Sequence, residues 1–151
     1  MSRKLKNLRT MIATACALVL LTGCSGFNRD WKNASAEPLK TDSIEGTWKG
    51  TWLSDHNGHN GGLRAIITKL DADTYNARFH ATYMRILTFG QTVDLTVKQE
   101  GTNYTFTGEA DLGKAYGGIY TYKGKMTTKD FFSTYNCSID HGTFKMSRPE
   151  Q

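Results

Sequence analysis

From Ile44 onward, apolar and polar residues alternate with a period of two. Ile44, Gly46, Trp48, Gly50 and Trp52 share one phase, and Glu45, Thr47, Lys49 and Thr51 share the other. Tyr75, Ala77, Phe79, Ala81 and Tyr83 repeat the pattern, as do Leu87, Phe89, Val93, Leu95 and Val97. Tyr104, Phe106, Gly108 and Ala110 follow, and then Tyr120, Tyr122, Gly124 and Met126. Successive side chains of a strand point to opposite faces, so this period specifies half-buried strands and excludes helices of useful length. Runs at 131–138 and 142–148 add two shorter strands, while 63–70 is apolar on both phases and fits the pattern least well.

About eight strands in a domain spanning 44–148 need a second apolar layer or closure upon themselves. The turns are short (Asp71-Ala72-Asp73, Glu100-Gly101, His141-Gly142), which favours hairpins over the long crossings of a Greek key. Small and large residues alternate along the apolar phase, Gly46-Trp48-Gly50-Trp52 and Ala77-Phe79-Ala81-Tyr83, as the taper of a small barrel requires. The expected fold is therefore all-β, an antiparallel up-and-down β-barrel. Pro38 and Pro149 bracket the domain without entering a strand.

Gly46-Thr47-Trp48 on the first strand resembles the Gly-x-Trp signature of the calycins, which include lipocalins, fatty-acid-binding proteins and avidins. The resemblance implies that a basic residue at the end of the last strand packs over the tryptophan and closes the barrel base. Arg148 stands in that place, after Phe144 and Met146, so Trp48 and Arg148 are the expected closure pair. The run from Gly46 to Ser54 also resembles small bacterial lipoproteins without an assigned function.

The amino-terminal segment reads as an address. Arg3, Lys4, Lys6 and Arg9 precede an apolar core from Met11 to Leu21, too short for a bilayer-spanning helix of about 20 residues. Leu21-Thr22-Gly23-Cys24 resembles the lipobox of bacterial lipoproteins. That resemblance implies a signal peptide of 1–23, cleavage before Cys24, and lipid (a diacylglyceryl thioether with amide-linked palmitate or similar) on Cys24. Ser25 at the next position implies outer-membrane sorting where a cell has two membranes. Residues 24–43 then form the lipidated cysteine and a linker expected to be flexible, about 25 Å in reach as a coil.

This division changes what charge and cysteines mean. The chain carries 19 Lys and Arg against 14 Asp and Glu, but four of the basic residues lie within 1–23, leaving 15 against 14. That balance gives no reason to expect a nucleic-acid partner. Of the three cysteines, Cys16 leaves with the signal and Cys24 takes lipid, so Cys137 has no partner for an intrachain disulfide.

Following the meander assigns the ends of the barrel. Loops 54–62, 84–85, 111–118 and 139–141 share the end opposite the linker and Arg148. His56, His59 and His141 meet on that rim with Asp55, Asp111 and Asp140. A His-x-x-His spacing in a glycine-rich loop fixes no ligand geometry, and polar loop tips collect such residues by default, so no metal is expected. No nucleophile elbow, Walker loop or dinucleotide fingerprint is present, Cys137 lies on the apolar phase with Phe131, Tyr135 and Ile139, and no enzyme activity or cofactor is expected. Trp52, Phe79, Tyr83, Phe89, Tyr120 and Tyr122 fall on the inward phase and are the candidate lining of a ligand pocket. An eight-stranded interior has room for its own side chains or one small ligand, and so many rings favour a filled core.

Two functional classes follow. The first is a membrane-anchored, monomeric envelope protein that binds a small apolar ligand. The second is a protein-interaction module, an envelope scaffold or an inhibitor of a periplasmic hydrolase, acting through the rim away from the anchor.

Overall fold

The structure, a computed structural model, describes residues 26–150. The expected signal peptide, 1–23, and the expected lipidation site, Cys24, lie outside the described residues. Eight strands follow one another: β1 (Gly46–Ser54), β2 (Asn60–Lys69), β3 (Thr74–Tyr83), β4 (Leu87–Glu100), β5 (Asn103–Asp111), β6 (Ile119–Met126), β7 (Asp130–Asn136) and β8 (His141–Ser147). Each pairs antiparallel with the next, and β8 returns to β1 through Lys49↔Ser147 to Ser54↔Gly142, closing the barrel. The loops fall at the two ends that the meander predicts.

The closing seam depends on two glycines. A Cβ on Gly50 would collide with the backbone of Lys145 and Met146, and one on Gly142 would collide with the backbone of Leu53. β1 and β8 can therefore approach at the curvature of closure only where side chains are missing. Inside, Trp48, Leu63, Ala65, Ile67, Ala77, Phe79, Val93 and Leu95 are buried and form one core with the rings of β5 to β8.

The base is closed by Trp48 and Arg148. The guanidinium carbon of Arg148 lies 4.2 Å from the Trp48 ring centroid. Its nitrogens donate to the carbonyls of Ser43, Glu45 (2.7 Å) and Thr128 (3.1 Å), with a longer bond to Thr47 (3.4 Å). The Trp48 indole N–H donates to the carbonyl of Ile44 at 3.0 Å, and Ile44 is itself fully buried. One cation thus satisfies carbonyls from the segment before β1 and from the β6–β7 turn, which no strand ladder reaches.

The segment 24–43, expected as a flexible linker, is corrected in its first half. Residues 26–36 form a helix, α1, laid against the outer wall of the barrel. Phe27 is buried and its ring stacks on His80 of β3, with centroids 4.7 Å apart. The Arg64 guanidinium of β2 sits 5.2 Å from the centroids of both Phe27 and Trp31 and donates to Asn28. Asp30 pairs with Arg78 at 2.9 Å, and Arg78, then Arg29, hold its carboxyl below the ordinary aspartate range.

This docking explains why β2 reads as apolar on both faces. Leu63, Ala65 and Ile67 face inward, and Ile66, on the outward phase, is buried as well. A strand with two apolar faces needs a cover on the outside. Phe27, Trp31 and Ala34 have the i, i+4, i+7 spacing of one helical stripe, which is the signal in the sequence that such a cover exists.

α1 also runs in an informative direction. Phe27 lies beside His80 in the upper part of β3, whereas Ala36 and Leu39 share a cleft with Thr47 and Pro149 at the base. The chain thus descends the wall from near the open end to the base and then turns into β1.

Candidate functional site

The interior is occupied by a column of rings. Trp48 at the base lies 6.1 Å from Phe131, which contacts Phe106 at 5.1 Å and Phe79 at 6.2 Å. Phe79 meets Phe144 at 5.3 Å, and Phe144 meets Tyr135 at 5.1 Å and Tyr122 at 6.1 Å. Tyr120 continues the column to the open end, 6.3 Å from Tyr135 and 6.4 Å from Tyr122. These spacings are those of packed aromatic pairs. Two concavities, of about 480 and 420 Å³, lie on the outside: one on the wall of β4 to β7 with Thr96, Thr107 and Thr134, the other between the end of α1 and the base.

Of the six candidate lining residues, the structure divides the set by depth. Phe79 and Tyr122 are buried in the ring column and serve as floor, while Trp52, Tyr83 and Tyr120 are half-buried around the mouth. Phe89 is 55% exposed and hangs at the edge. The open end of the barrel therefore presents half-buried rings above a filled core.

Two side-chain bridges brace this mouth. The Trp52 indole N–H crosses over β2 to the carbonyl of Thr82 at 2.9 Å, just beyond the last β2–β3 pair, Leu63↔Ala81. It can do so because the intervening residue is Gly61, whose Cβ would clash with both groups. On the opposite side, β4 pairs with β5 only from Asp94↔Glu109 downward, although it pairs with β3 up to Leu87. The upper part of β4 therefore stands away from β5, and the Gln91 amide donates to the Tyr122 hydroxyl across that gap.

A polar latch sits beside them. Ser54, fully buried at the end of β1, donates from its hydroxyl to Asp140 at 2.6 Å, and the Tyr135 hydroxyl donates to the other oxygen at 3.1 Å. Asp140 also accepts the His141 backbone N–H at 2.8 Å. The latch ties the β7–β8 turn to β1 and uses the carboxylate for structure. Burial pushes the hydroxyls of Tyr120, Tyr122 and Tyr135 well above the ordinary tyrosine range. All three stay neutral hydrogen-bonding groups at physiological pH.

The three rim histidines do not converge. His56 and His141 lie edge to face with centroids 6.1 Å apart, whereas His59 packs on Tyr83 at 4.9 Å. Among the described residues, no group of three His, Cys, Asp or Glu is placed to hold a metal ion. Cys137, expected in the apolar interior, is half-buried in the β7–β8 turn near Tyr120 and Gly117, and Ile139 beside it is exposed. Both lie beyond the end of β7, where inward phase no longer means burial.

The rim is apolar to a degree the sequence did not reveal. Leu53, Met84, Ile86, Leu87, Phe89, Tyr116, Ile119 and Ile139 are exposed large hydrophobics at this end, and among the described residues only Leu70 is comparable at the base. Met84, Ile86, Tyr116 and Ile139 lie outside the strands and carry no inward or outward signal, while Leu87 and Phe89, expected on the inward phase, are exposed because upper β4 rises past its last pair with β5.

The closed meander, with Trp48 and Arg148 stacked at its base, is an eight-stranded antiparallel up-and-down β-barrel that carries the closure pair expected from the resemblance to calycins. No protein-family model matches the chain, and no curated protein matches it. Among solved structures, a mutant of the fluorescent protein UnaG is similar, at 15% identity and a TM-score of 0.39, over 71% of this chain and 96% of that one.

Proposed function

We propose that this chain is a lipid-anchored envelope protein that holds a small apolar ligand in the mouth of its barrel and performs no catalysis. The observation that carries this reading is the mouth itself, where Trp52, Tyr83 and Tyr120 stand half-buried over a floor of Phe79 and Tyr122. Half-buried rings at the open end offer apolar area and orienting hydroxyls at once. The Leu21-Thr22-Gly23-Cys24 sequence supports lipid attachment at Cys24 and an envelope location.

Titration with the dye ANS, followed by its displacement with fatty acids and planar hydrophobic metabolites, tests the ligand. Saturable dye binding that weakens in Trp52→Ala is expected. Dye that does not bind leaves the second class, a protein-interaction module working through the rim loops, which the filled interior favours. Labelling with palmitate in a bacterial host tests the anchor, with Cys24→Ala expected to lose all label.

A further inference from the structure

The exposed apolar residues gather at one end, and α1 begins toward that same end. We infer that the open end of the barrel, led by the β3–β4 hairpin, rests on the lipid bilayer instead of facing away from it. The inference rests on the Cys24 anchor of the reading above and not on its ligand.

Chain geometry decides the orientation. Phe27 is stacked on His80, three residues below Tyr83 at the top of β3 and six above Thr74 at its base. At a strand rise of about 3.3 Å, those separations are roughly 10 Å and 20 Å along the strand. Cys24 is three residues before Phe27, and three Cα steps span at most about 11 Å. A lipid on Cys24 therefore reaches the level of the mouth and falls short of the base. A linker leaving from the base would permit the opposite orientation, but α1 removes that freedom.

The hairpin tip suits an interface with lipid. Met84 is 67% exposed and Ile86 79%, with Leu87 and Phe89 exposed behind them. Ile86 donates its N–H to the Tyr83 carbonyl, closing a tight turn in which Met84 and Arg85 have φ of 50° and 65°. Glycine or asparagine would be relaxed at those positions, yet the turn carries a long apolar side chain and a long cation. The apolar side chains would enter the acyl boundary while the Arg85 guanidinium stays with the phosphates. This hairpin also stands clear of β5, so its upper residues project from the rim.

The test uses the full chain, processed in a bacterial host and reconstituted in vesicles of phosphatidylethanolamine and phosphatidylglycerol. With Cys137→Ser as background, a fluorophore is placed at Ile86→Cys or, at the base, at Lys129→Cys. Lipids carrying a quencher in their acyl chains should remove more than about half of the Ile86 emission and leave the Lys129 label unchanged. Quenching at Lys129, or at neither site, overturns the inference, and the latter result assigns the collar to a protein partner. Intact mass of the same sample reports acylation separately. If Cys24 carries no acyl group, the anchor reading fails on its own, and vesicles added to the labelled protein still decide whether the collar binds lipid.

Discussion

Removing the Arg148 side chain should open the base of the barrel. In the folded protein its guanidinium donates to the carbonyls of Ser43, Glu45 and Thr128, approaches that of Thr47, and stacks 4.2 Å from Trp48. Hydrogen bonds to a charged group contribute about 1.5–3 kcal/mol each before the competition of water is counted. Stacking adds about 1 kcal/mol. The group is half-buried, so water can replace part of what Arg148→Ala removes, and the contributions are not additive. A net loss of about 3 kcal/mol is expected, a large share of the roughly 5–15 kcal/mol that holds a domain together. For a domain of this size it lowers Tm by about 10–15 °C. Urea unfolding followed by near-ultraviolet circular dichroism reads both stability and the environment of Trp48. Arg148→Lys retains the charge over the ring but not the planar fork, and should recover about half of the loss. If Arg148→Ala stays within about 0.5 kcal/mol of the parent, the base is not closed by this group and the reasoning fails.

Other expectations follow from the wall and the seam. His80 is buried under Phe27, and among the described residues neither ring nitrogen has a hydrogen-bond partner. Burial and then the Arg64 charge hold its pKa below the free value of 6.5, with Arg78, Arg29 and Asp30 as the other charged groups around the helix contact. The unfolded chain therefore takes up the proton first, so stability is intact above pH 6.5 and is lost as pH falls, by at most about 1.4 kcal/mol per unit. Chemical denaturation at a series of pH values should show this slope, and His80→Leu should flatten it. Gly142→Val places a branched side chain against the Leu53 backbone, and should cost more than about 3 kcal/mol or prevent closure, seen as lost cooperativity in a thermal melt. Ser54→Ala leaves Asp140 one donor short beside a buried site and should cost about 1–3 kcal/mol in urea unfolding, with Asp140→Asn recovering little. Trp52→Phe keeps a ring at the mouth but loses the bond to Thr82, and a cost of about 1 kcal/mol is expected with dye binding retained.

Much of the architecture was legible because its cause is local. A period of two fixes which side of a strand meets the core, whatever the rest of the chain does. That rule alone located β1 and β3 to β8, the ends of the barrel, and the rings that fill it. Trp48 and Arg148 were expected as a pair only through the resemblance of Gly46-Thr47-Trp48 to the calycin signature, and the neighbouring first and last strands of the closed meander let them meet. The rim histidines and aspartates were placed at the correct end. Their partners were not foreseen, because Asp140 bonding to Ser54 and His59 packing on Tyr83 depend on loop conformation.

The sequence by itself determined strands, topology and the two ends, through the alternation of side chains along each strand. Tertiary structure decided the rest, through surfaces that exist only once the strands are assembled. α1 has one narrow apolar stripe, too little to hold a helix in water, and becomes stable on a wall built jointly by Ile66, Arg64, Arg78 and His80. Those residues come from two strands and share a surface only through the register Arg64↔His80 and Ile66↔Arg78. Docking the helix then turns the start of the described chain from the base toward the mouth. A flexible linker would let a lipid on Cys24, as proposed, reach either end of the barrel, whereas a docked helix of eleven residues would hold it toward the mouth, because covalent reach is short compared with the height of the barrel.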